Sequence, residues 1–348
     1  MYKKMLSALF IVMIPACAFS LIIPTGQAGR PEPIELLNAS AAGSSFSFGL
    51  AHLEMNGIET KDGNFTAVSG LDGDSTSEVG MPELPSTTFF VEIPYRVTPK
   101  ICVSDVIFRE YDLKAMGFEN PVRPQQPSIV KLEGARPAFT IDKQFYGADC
   151  FYPQEVAVLE NVAFIRSHRV ASVTLNPVQY NPARHLLRVY ESFRVSVETV
   201  GGSFAESISE REGKYSGSFE PYLSEMIANY GSIYGSAPKT SYKDGLLIIT
   251  PASFNTPDLQ AYAELKRKWG YKVQIATLAE TGSTAAAIQN YIQNAYNSWS
   301  DPPLGFVMLA GDYENITATN MTEPDSATKT DLYYTTVSGG DILPDLHL

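Results

Sequence analysis

The spacing of apolar positions between residues 244 and 312 alternates between the two periods that mark strands and helices. Residues 246–249 are a short, wholly apolar run, which is typical of a strand buried on both faces. Further strand patterns cover residues 271–277 and 306–310, and apolar residues recur at helical spacing over residues 256–269 and 283–295. The order strand, helix, strand, helix, strand predicts a parallel sheet with right-handed crossovers, and hence an α/β region over residues 245–348.

The helical segments carry their own start and stop signals. Thr256 can cap the N-terminus of the first segment, and Pro257 suits its first turn. Gly270 is placed to end this helix in a left-handed conformation. Ser283 or Thr284 is expected to open the second helix.

Before this region, strand patterns follow one another closely and are punctuated by Pro and Gly. No convincing helix separates them between residues 81 and 200, so these residues are predicted to form an all-β domain, either a sandwich or a flattened barrel. Residues 29–80 are rich in Ala, Gly, Ser and Asp, and we expect an extended lead-in with one or two early strands. Residues 201–244 are expected to be a flexible linker with a helix over residues 220–230.

The net charge and the hydropathy of the chain argue against two kinds of partner, nucleic acid and a membrane spanned by a helix. The chain has 348 residues and a formal net charge of −12, and its pI is about 4.9. This acidic balance argues against nucleic acid as a partner, because neutralising phosphates requires clustered Lys and Arg. Beyond the first 28 residues no apolar run is long enough for a transmembrane helix.

The first 28 residues have the pattern of an export signal. Two lysines precede an apolar run over residues 5–14, and small residues at Ala16 and Ala18, or at Gly26 and Ala28, offer cleavage sites. The chain is therefore expected to be secreted or held at the cell surface. An alternative is a lipoprotein anchored through Cys17, although Pro15 is unfavourable there.

Two cysteines lie beyond this segment, Cys102 and Cys150. An exported protein meets an oxidising compartment, so the two could form a disulfide. The alternative is a pair of buried free thiols on separate strands. Neither has a histidine in a recognisable pairing, so neither is expected to be a catalytic nucleophile.

Short sequence blocks on both sides of the linker match one known family. In the α/β region they are Leu247-Ile-Ile-Thr-Pro, Leu265-Lys-Arg-Lys-Trp-Gly-Tyr-Lys-Val, Ala287-Ile-Gln-Asn-Tyr-Ile, Val307-Met-Leu-Ala-Gly-Asp and Asp341-Ile-Leu-Pro-Asp345. In the β-rich region they are Ala171-Ser-Val-Thr and Asn176-Pro-Val-Gln-Tyr-Asn-Pro. Together they resemble the gingipain family of secreted, caspase-like cysteine endopeptidases, which are made as zymogens. The resemblance implies that residues 81–200 are a propeptide packed on its own catalytic domain, and that residues 245–348 begin that domain.

The family's catalytic His and Cys follow downstream of these blocks, so the resemblance implies no catalytic residue within the 348 residues. The histidines of this chain are His52, His168, His185 and His347. His168 and His185 lie in strand patterns beside Arg residues, where a structural histidine is far more usual than a catalyst. The 348-residue chain is therefore expected to be inactive, while the full-length enzyme would act on protein or peptide substrates.

The resemblance also implies a structural calcium site. Carried over residue by residue, the ligands would be the carboxylates of Asp312, Asp341 and Asp345 and the carbonyls of Ser338 and Leu343. Such oxygen ligands suit calcium, which tolerates a flexible shell completed by water. Relatives can carry the longer Glu at the position of Asp345. Without the family pattern, solvated loop acids would be the simpler interpretation.

Two functions follow as alternatives. The first is the N-terminal portion of a gingipain-like zymogen, matured by cleavage in the exposed segment near Lys239 or Lys243. The second is a non-enzymatic secreted module, inhibitory or adhesive, with a vestigial peptidase fold. The predicted division is a signal at 1–28, the lead-in at 29–80, the propeptide-like domain at 81–200, the linker at 201–244 and the truncated catalytic domain at 245–348.

Overall fold

A computed structural model describes residues 20–30, 32–71, 75–128, 137–235, 243–320 and 328–348. Among them no helix is long and apolar enough to cross a membrane. Antiparallel sheets fill the first part of the chain, and a parallel sheet with helices follows from residue 245.

The β-rich region contains eleven described strands and one short helix, α1 (Lys143–Tyr146). The strands are β1 (Ser20–Pro24), β2 (Ile34–Ser40), β3 (Gly43–Gly49), β4 (His52–Thr60), β5 (Gly63–Ser69), β6 (Thr87–Glu92), β7 (Lys100–Asp112), β8 (Ala157–Ile165), β9 (His168–Leu175), β10 (Val178–Asn181) and β11 (Leu186–Glu198). They form three antiparallel sheets of order β1-β4-β5, β10-β11-β3-β2 with β7 along β11, and β6-β9-β8.

Side chains from all three sheets meet in one core. Phe46 of β3, Met55 of β4 and Val173 of β9 are fully buried in the same cluster. The rings of Phe46 and Phe89 lie 5.0 Å apart in an edge-to-face contact that joins two of the sheets. Because these sheets stay open and pack face against face, the sandwich-like prediction is confirmed and the flattened-barrel alternative is not.

Residues 29–80 hold more structure than the one or two strands expected. Strands β2 to β5 form two hairpins, whose turns use Gly43 and Gly63 at positive φ. In β3, Phe46 and Phe48 alternate with serines and are buried. The many small polar residues of this segment are typical of loops, so composition alone does not indicate this short strand.

Cys102 and Cys150 are free and exposed. Cys102 lies on the outer strand β7, and Cys150 lies in the turn after α1. The structure therefore has no disulfide between them. The free-thiol alternative is correct in that both are unpaired, but both are exposed rather than buried and only Cys102 lies on a strand.

The linker region is largely helical. It contains α2 (Ala205–Lys214), α3 (Glu220–Met226) and α4 (Tyr230–Tyr234). The predicted helix over residues 220–230 is interrupted at Ile227, which is extended and bridges to Phe90 of β6. Apolar residues of α3 and α4 pack on Ile165 and Val170, so the linker is fastened to the end of the β8–β9 hairpin.

The second region begins with the predicted alternation. It contains β12 (Gly245–Thr250), α5 (Pro257–Lys268), β13 (Lys272–Thr277), α6 (Leu278–Thr281), α7 (Ala285–Ser298), β14 (Leu304–Leu309), β15 (Thr319–Asn320) and β16 (Lys329–Thr330). The order β13-β12-β14 is fully parallel, which confirms the predicted α/β start. Thr256 and Thr284 cap α5 and α7 as expected, and Gly270 has φ 95°.

Strand β12 is central and buried on both faces. Leu246 and Ile248 pack with Ala263 of α5, whereas Leu247 and Ile249 pack with Ile288 of α7. β14 is the last strand of the sheet β13-β12-β14, and His347 extends that sheet by a parallel bridge to Phe306 of β14. This edge brings residues 335–348 against the β8–β9 hairpin.

Candidate interface between the propeptide-like and peptidase-like regions

The turn of the β8–β9 hairpin consists of Arg166 and Ser167 alone, since Ile165 already pairs with His168. Arg166 has φ 58°, the left-handed conformation that two-residue hairpins require and that Gly, Asn or Asp usually supply. An arginine in this conformation costs on the order of 1 kcal/mol. Contacts of the arginine side chain must therefore offset this backbone cost.

Arg166 is almost completely buried, with 3% of its surface exposed. One terminal nitrogen donates to the carbonyl oxygens of Asp345 at 2.7 Å and Leu304 at 3.1 Å. The other donates to the carbonyl of Lys214, at the end of α2, at 3.3 Å. Arg166 thus joins the β-rich region to the linker and to the sheet of the second region.

Two aromatic rings enclose the guanidinium group. Its central carbon lies 5.0 Å from the ring centre of Phe219 in the linker and 5.2 Å from that of Tyr296 in α7. Cation–π attraction is stronger in such a desolvated position than at the surface. These rings partly offset the cost of burying Nε, which has no hydrogen-bond partner among the described residues.

The outer edge of β8 is covered by two carboxylates. The backbone N–H groups of Phe164 and Arg166 donate to Asp341 Oδ2 at 2.8 Å and to Asp345 Oδ1 at 2.6 Å. Ser338 Oγ completes the contact by donating to the Arg166 carbonyl at 3.1 Å. Since β8 is the last strand of its sheet, these groups satisfy an edge that would otherwise be open.

Asp345 is fully buried and receives three backbone N–H groups. Besides Arg166, the N–H groups of Val337 and Ser338 donate to its Oδ2 at 2.9 Å and 2.7 Å. Burial raises the pKa of Asp345 to about 6, although its hydrogen bonds and Arg166 work in the opposite direction. At neutral pH the carboxylate is therefore an anion held by donors from both regions.

Buried ionisable side chains also surround His168, the first residue of β9. His168 Nδ1 lies 2.9 Å from Glu92 Oε2, and its Nε2 lies 3.3 Å from Glu220 Oε1. Arg211 of α2 pairs with Glu220 at 3.0 Å, and Tyr234 of α4 donates to Glu92 at 2.9 Å. The cluster therefore ties all three linker helices to strands β6 and β9.

Asp244, directly after the junction between the two regions, is hydrogen-bonded to the linker. Asp244 is buried and accepts hydrogen bonds from Ser216 Oγ at 2.6 Å and from the N–H of Gly217 at 3.0 Å. Lys243, one of the two predicted cleavage sites, is exposed directly before it, and Lys239 lies outside the described residues.

Comparison with known proteins divides the chain at the same junction. The C25 propeptide family (Propeptide_C25) matches residues 24–237, and peptidase family C25 matches residues 239–348. The chain belongs to the C25 peptidase family. It comprises a gingipain-type propeptide and the N-terminal part of the peptidase domain, so the predicted resemblance is confirmed.

Two curated relatives come from Porphyromonas gingivalis. Lys-gingipain is 29% identical over 321 residues, which cover 87% of this chain and 18% of the relative. Gingipain R2 is 24% identical over 318 residues, which cover 90% of this chain and 41% of the relative. This C25 chain thus spans less than half the length of either relative.

Two solved structures also match. One is gingipain K from Porphyromonas gingivalis, described for its zymogenic latency, with 28% identity, 51% of this chain covered, 97% of that chain covered and a TM-score of 0.45. The other is a complex of the pro- and mature domains of RgpB from the same organism, with 24% identity, 59% of this chain and all of that chain covered, and a TM-score of 0.47.

In the part of the chain that the structure describes, the three carboxylates predicted to bind calcium in this C25 chain accept backbone N–H groups instead of forming a metal-holding cluster. Asp312 is exposed at the end of β14 and accepts from the N–H of Glu314 in its own turn at 3.0 Å. Asp341 Oδ1 accepts from the N–H of Leu343 at 2.9 Å, and Ser338 donates its own N–H to Asp345. Among the described residues no group of three or more His, Cys, Asp and Glu could hold a metal ion.

Backbone N–H groups thus occupy the space in front of Asp341 and Asp345, and their positive ends would repel a cation. This arrangement of donors does not suit a calcium ion bound through Asp341 and Asp345, and the calcium site predicted from the resemblance is not tested by the structure.

Sequence reasoning missed Arg166, which joins the β-rich region, the linker and the peptidase region. One signal was available, because the segment Phe164-Ile-Arg-Ser-His-Arg-Val170 leaves only Arg-Ser between two strand patterns. A two-residue turn without Gly, Asn or Asp is unusual and indicates that the turn is held by something else. His185 contacts Tyr180 and the Phe118 carbonyl in the core.

Proposed function

We propose that this chain is the N-terminal part of a secreted cysteine endopeptidase zymogen. The observation that supports this best is the burial of Arg166, a propeptide residue, against the peptidase region of the same chain. A propeptide that places a buried arginine against two carbonyls and the Tyr296 ring of its peptidase region is built to remain bound there. A free inhibitory or adhesive module would have no need of this internal contact.

In this proposal the peptidase domain is completed by residues that follow Leu348, as the greater length of the relatives suggests. The nucleophilic Cys and its His partner would lie in that part, and peptides or proteins would be the substrates. The propeptide region would hold the first strands of the domain in place and restrain it until the junction around residues 236–243 is cut.

Export would occur through the apolar segment at the N-terminus. Strand β1 pairs along its whole length with β4, from Ser20 opposite Asn56 to Pro24 opposite His52. Cleavage after Ala28 would remove that strand, whereas cleavage after Ala18 would keep it. We therefore favour Ala18 as the end of the signal, with lipid attachment at Cys17 as the less favoured alternative.

The proposal is tested with the precursor encoded by the complete reading frame. The uncut precursor should show little peptidase activity, and a cut within residues 236–243 should release activity that thiol-alkylating reagents abolish. A precursor that stays inactive after this cut, with its propeptide removed, would instead support the non-enzymatic alternative.

A further inference from the structure

The outer edge of β8 and the loop opposite it match each other in spacing. Along a strand, every second N–H points to the same side, and two such groups lie about 7 Å apart. Those of Phe164 and Arg166 are met by Asp341 and Asp345, which are separated by four positions in an irregular loop. The loop therefore acts as a substitute neighbouring strand that offers carboxylate oxygens in place of carbonyls.

The approach of the loop to the strand depends on a glycine. Gly339 has φ 75°, and a Cβ at this position would lie 2.4 Å from Asp341 Oδ2 and 2.8 Å from the Cβ of Phe164. Any other residue would separate Asp341 from the strand or displace Phe164. The fit of loop 338–345 to β8 is thus close on both its polar and its apolar side.

None of these groups lies in the segment that connects the two regions. Residues 164–166 belong to the hairpin, while residues 304 and 338–345 belong to the peptidase region, so a cut within residues 236–242 leaves every contact between them in place. Covalent continuity is therefore unnecessary for the contact.

We infer that the edge of β8, with Arg166 at its turn, is the docking element that keeps the propeptide bound to the peptidase region after the junction is cut. The inference rests on the proposed function and adds to it a defined binding surface: a strand edge and one arginine on the propeptide, and loop 338–345 with the Leu304 carbonyl on the peptidase region. Cleavage of the junction and departure of the propeptide are then two separate events, and the second requires this hairpin to leave its site.

The test uses the full chain with residues 236–242 replaced by the recognition sequence of an unrelated, sequence-specific protease. The N-terminal fragment carries an affinity tag, and release of the C-terminal fragment is followed over time after cutting. The decisive variant is Arg166→Gly, because glycine adopts the positive φ of this turn readily and keeps the backbone N–H, so only the side-chain contacts are lost. We expect the C-terminal fragment to dissociate at least about 30-fold faster from this variant than from the unchanged sequence.

Arg184→Gly is the matched control. This arginine precedes a residue with positive φ, His185, and unlike Arg166 it is exposed and pairs with Asp149 at 2.7 Å, away from the interface. It should leave the dissociation rate unchanged. Asp341→Asn provides a second variant, expected to speed release because an amide nitrogen can then face the Phe164 N–H.

Three results would overturn the inference. These are immediate separation of the unchanged fragments on cutting, equal release rates for Arg166→Gly and the unchanged sequence, and equal acceleration by Arg184→Gly. Since the readout is retention of a fragment and involves no peptide hydrolysis, these results leave the proposed enzyme activity to its own test. Circular dichroism of each uncut variant confirms that it folds before the rates are compared.

Discussion

His168 lies between two carboxylates with no exposed side-chain surface, 2.9 Å from Glu92 and 3.3 Å from Glu220. Burial opposes a positive charge on the ring. The hydrogen bonds and charges of Glu220 and Glu92 outweigh that effect and raise the pKa of His168 to about 9. Arg211 and the hydroxyls of Tyr230 and Tyr234 face the same cluster and complete its hydrogen bonding.

A pH dependence of stability follows from this raised pKa. Because the folded-state pKa is above the unfolded value of 6.5, the stabilisation is fully present below about pH 6.5 and is lost as pH rises through 9. The free energy of unfolding should fall by about 3 kcal/mol over that window. Urea unfolding at several pH values should show the decline, and His168→Gln should remove most of it. His52→Gln, which changes an exposed histidine, should keep it; a wild-type slope in His168→Gln would contradict the assignment.

Asp345 should give the second pH dependence, at lower pH. Its pKa is raised from 3.8 to about 6, so the folded chain holds the proton more tightly than the unfolded chain does. The contribution of this group is therefore largest below about pH 4 and is lost as pH rises through 6, by about 3 kcal/mol. Asp345→Asn cannot titrate and should flatten this part of the stability profile, whatever its overall stability. An unchanged slope between pH 4 and 6 would show that Asp345 is not buried as described.

The 348-residue chain should hydrolyse no peptide. Its two cysteines beyond the N-terminal segment are exposed and free, and three of its four histidines are engaged elsewhere: His168 with glutamates, His185 with Tyr180, and His347 against the ring of Phe219 at 4.1 Å. No described histidine hydrogen-bonds a cysteine to draw off its proton. The check is a fluorogenic peptide assay with and without a thiol-alkylating reagent. Thiol-sensitive cleavage that disappears in Cys102→Ser or Cys150→Ser would prove the prediction wrong.

The first strands and helices of the α/β region were predictable because their sequence signals are local. The apolar run of β12, the caps at Thr256 and Thr284 and the period of α7 each depend on neighbouring residues. The interface was not predictable by the same means, because Arg166 and Asp345 meet only through the tertiary fold. The spacing of apolar residues does not indicate that a carboxylate in one region accepts hydrogen bonds from a strand edge in another. In the sequence, acidic loop residues that match a family pattern are the same whether they bind a cation or backbone N–H groups.

Calcium would have to compete with N–H groups for two of its predicted ligands. The carboxylates of Asp341 and Asp345 already accept five backbone N–H groups, from Phe164, Arg166, Val337, Ser338 and Leu343. An ion that bound at these carboxylates would have to displace the donors and approach the buried guanidinium of Arg166, which carries a like charge.

We therefore expect that calcium and chelator give the same thermal unfolding midpoint for the 348-residue chain. Ligand binding to the folded state alone would raise that midpoint in proportion to RT ln(1 + [L]/Kd), so the measurement is sensitive even to a weak site at millimolar calcium. Asp341→Ala serves as the comparison, since it removes a predicted calcium ligand and a partner of β8 together. If calcium raises the midpoint of the wild type and not of Asp341→Ala, loop 338–345 is a metal site and rearranges to bind it. If neither responds, the two carboxylates act as acceptors for the propeptide strand, and the family pattern at these positions serves the contact between the two regions.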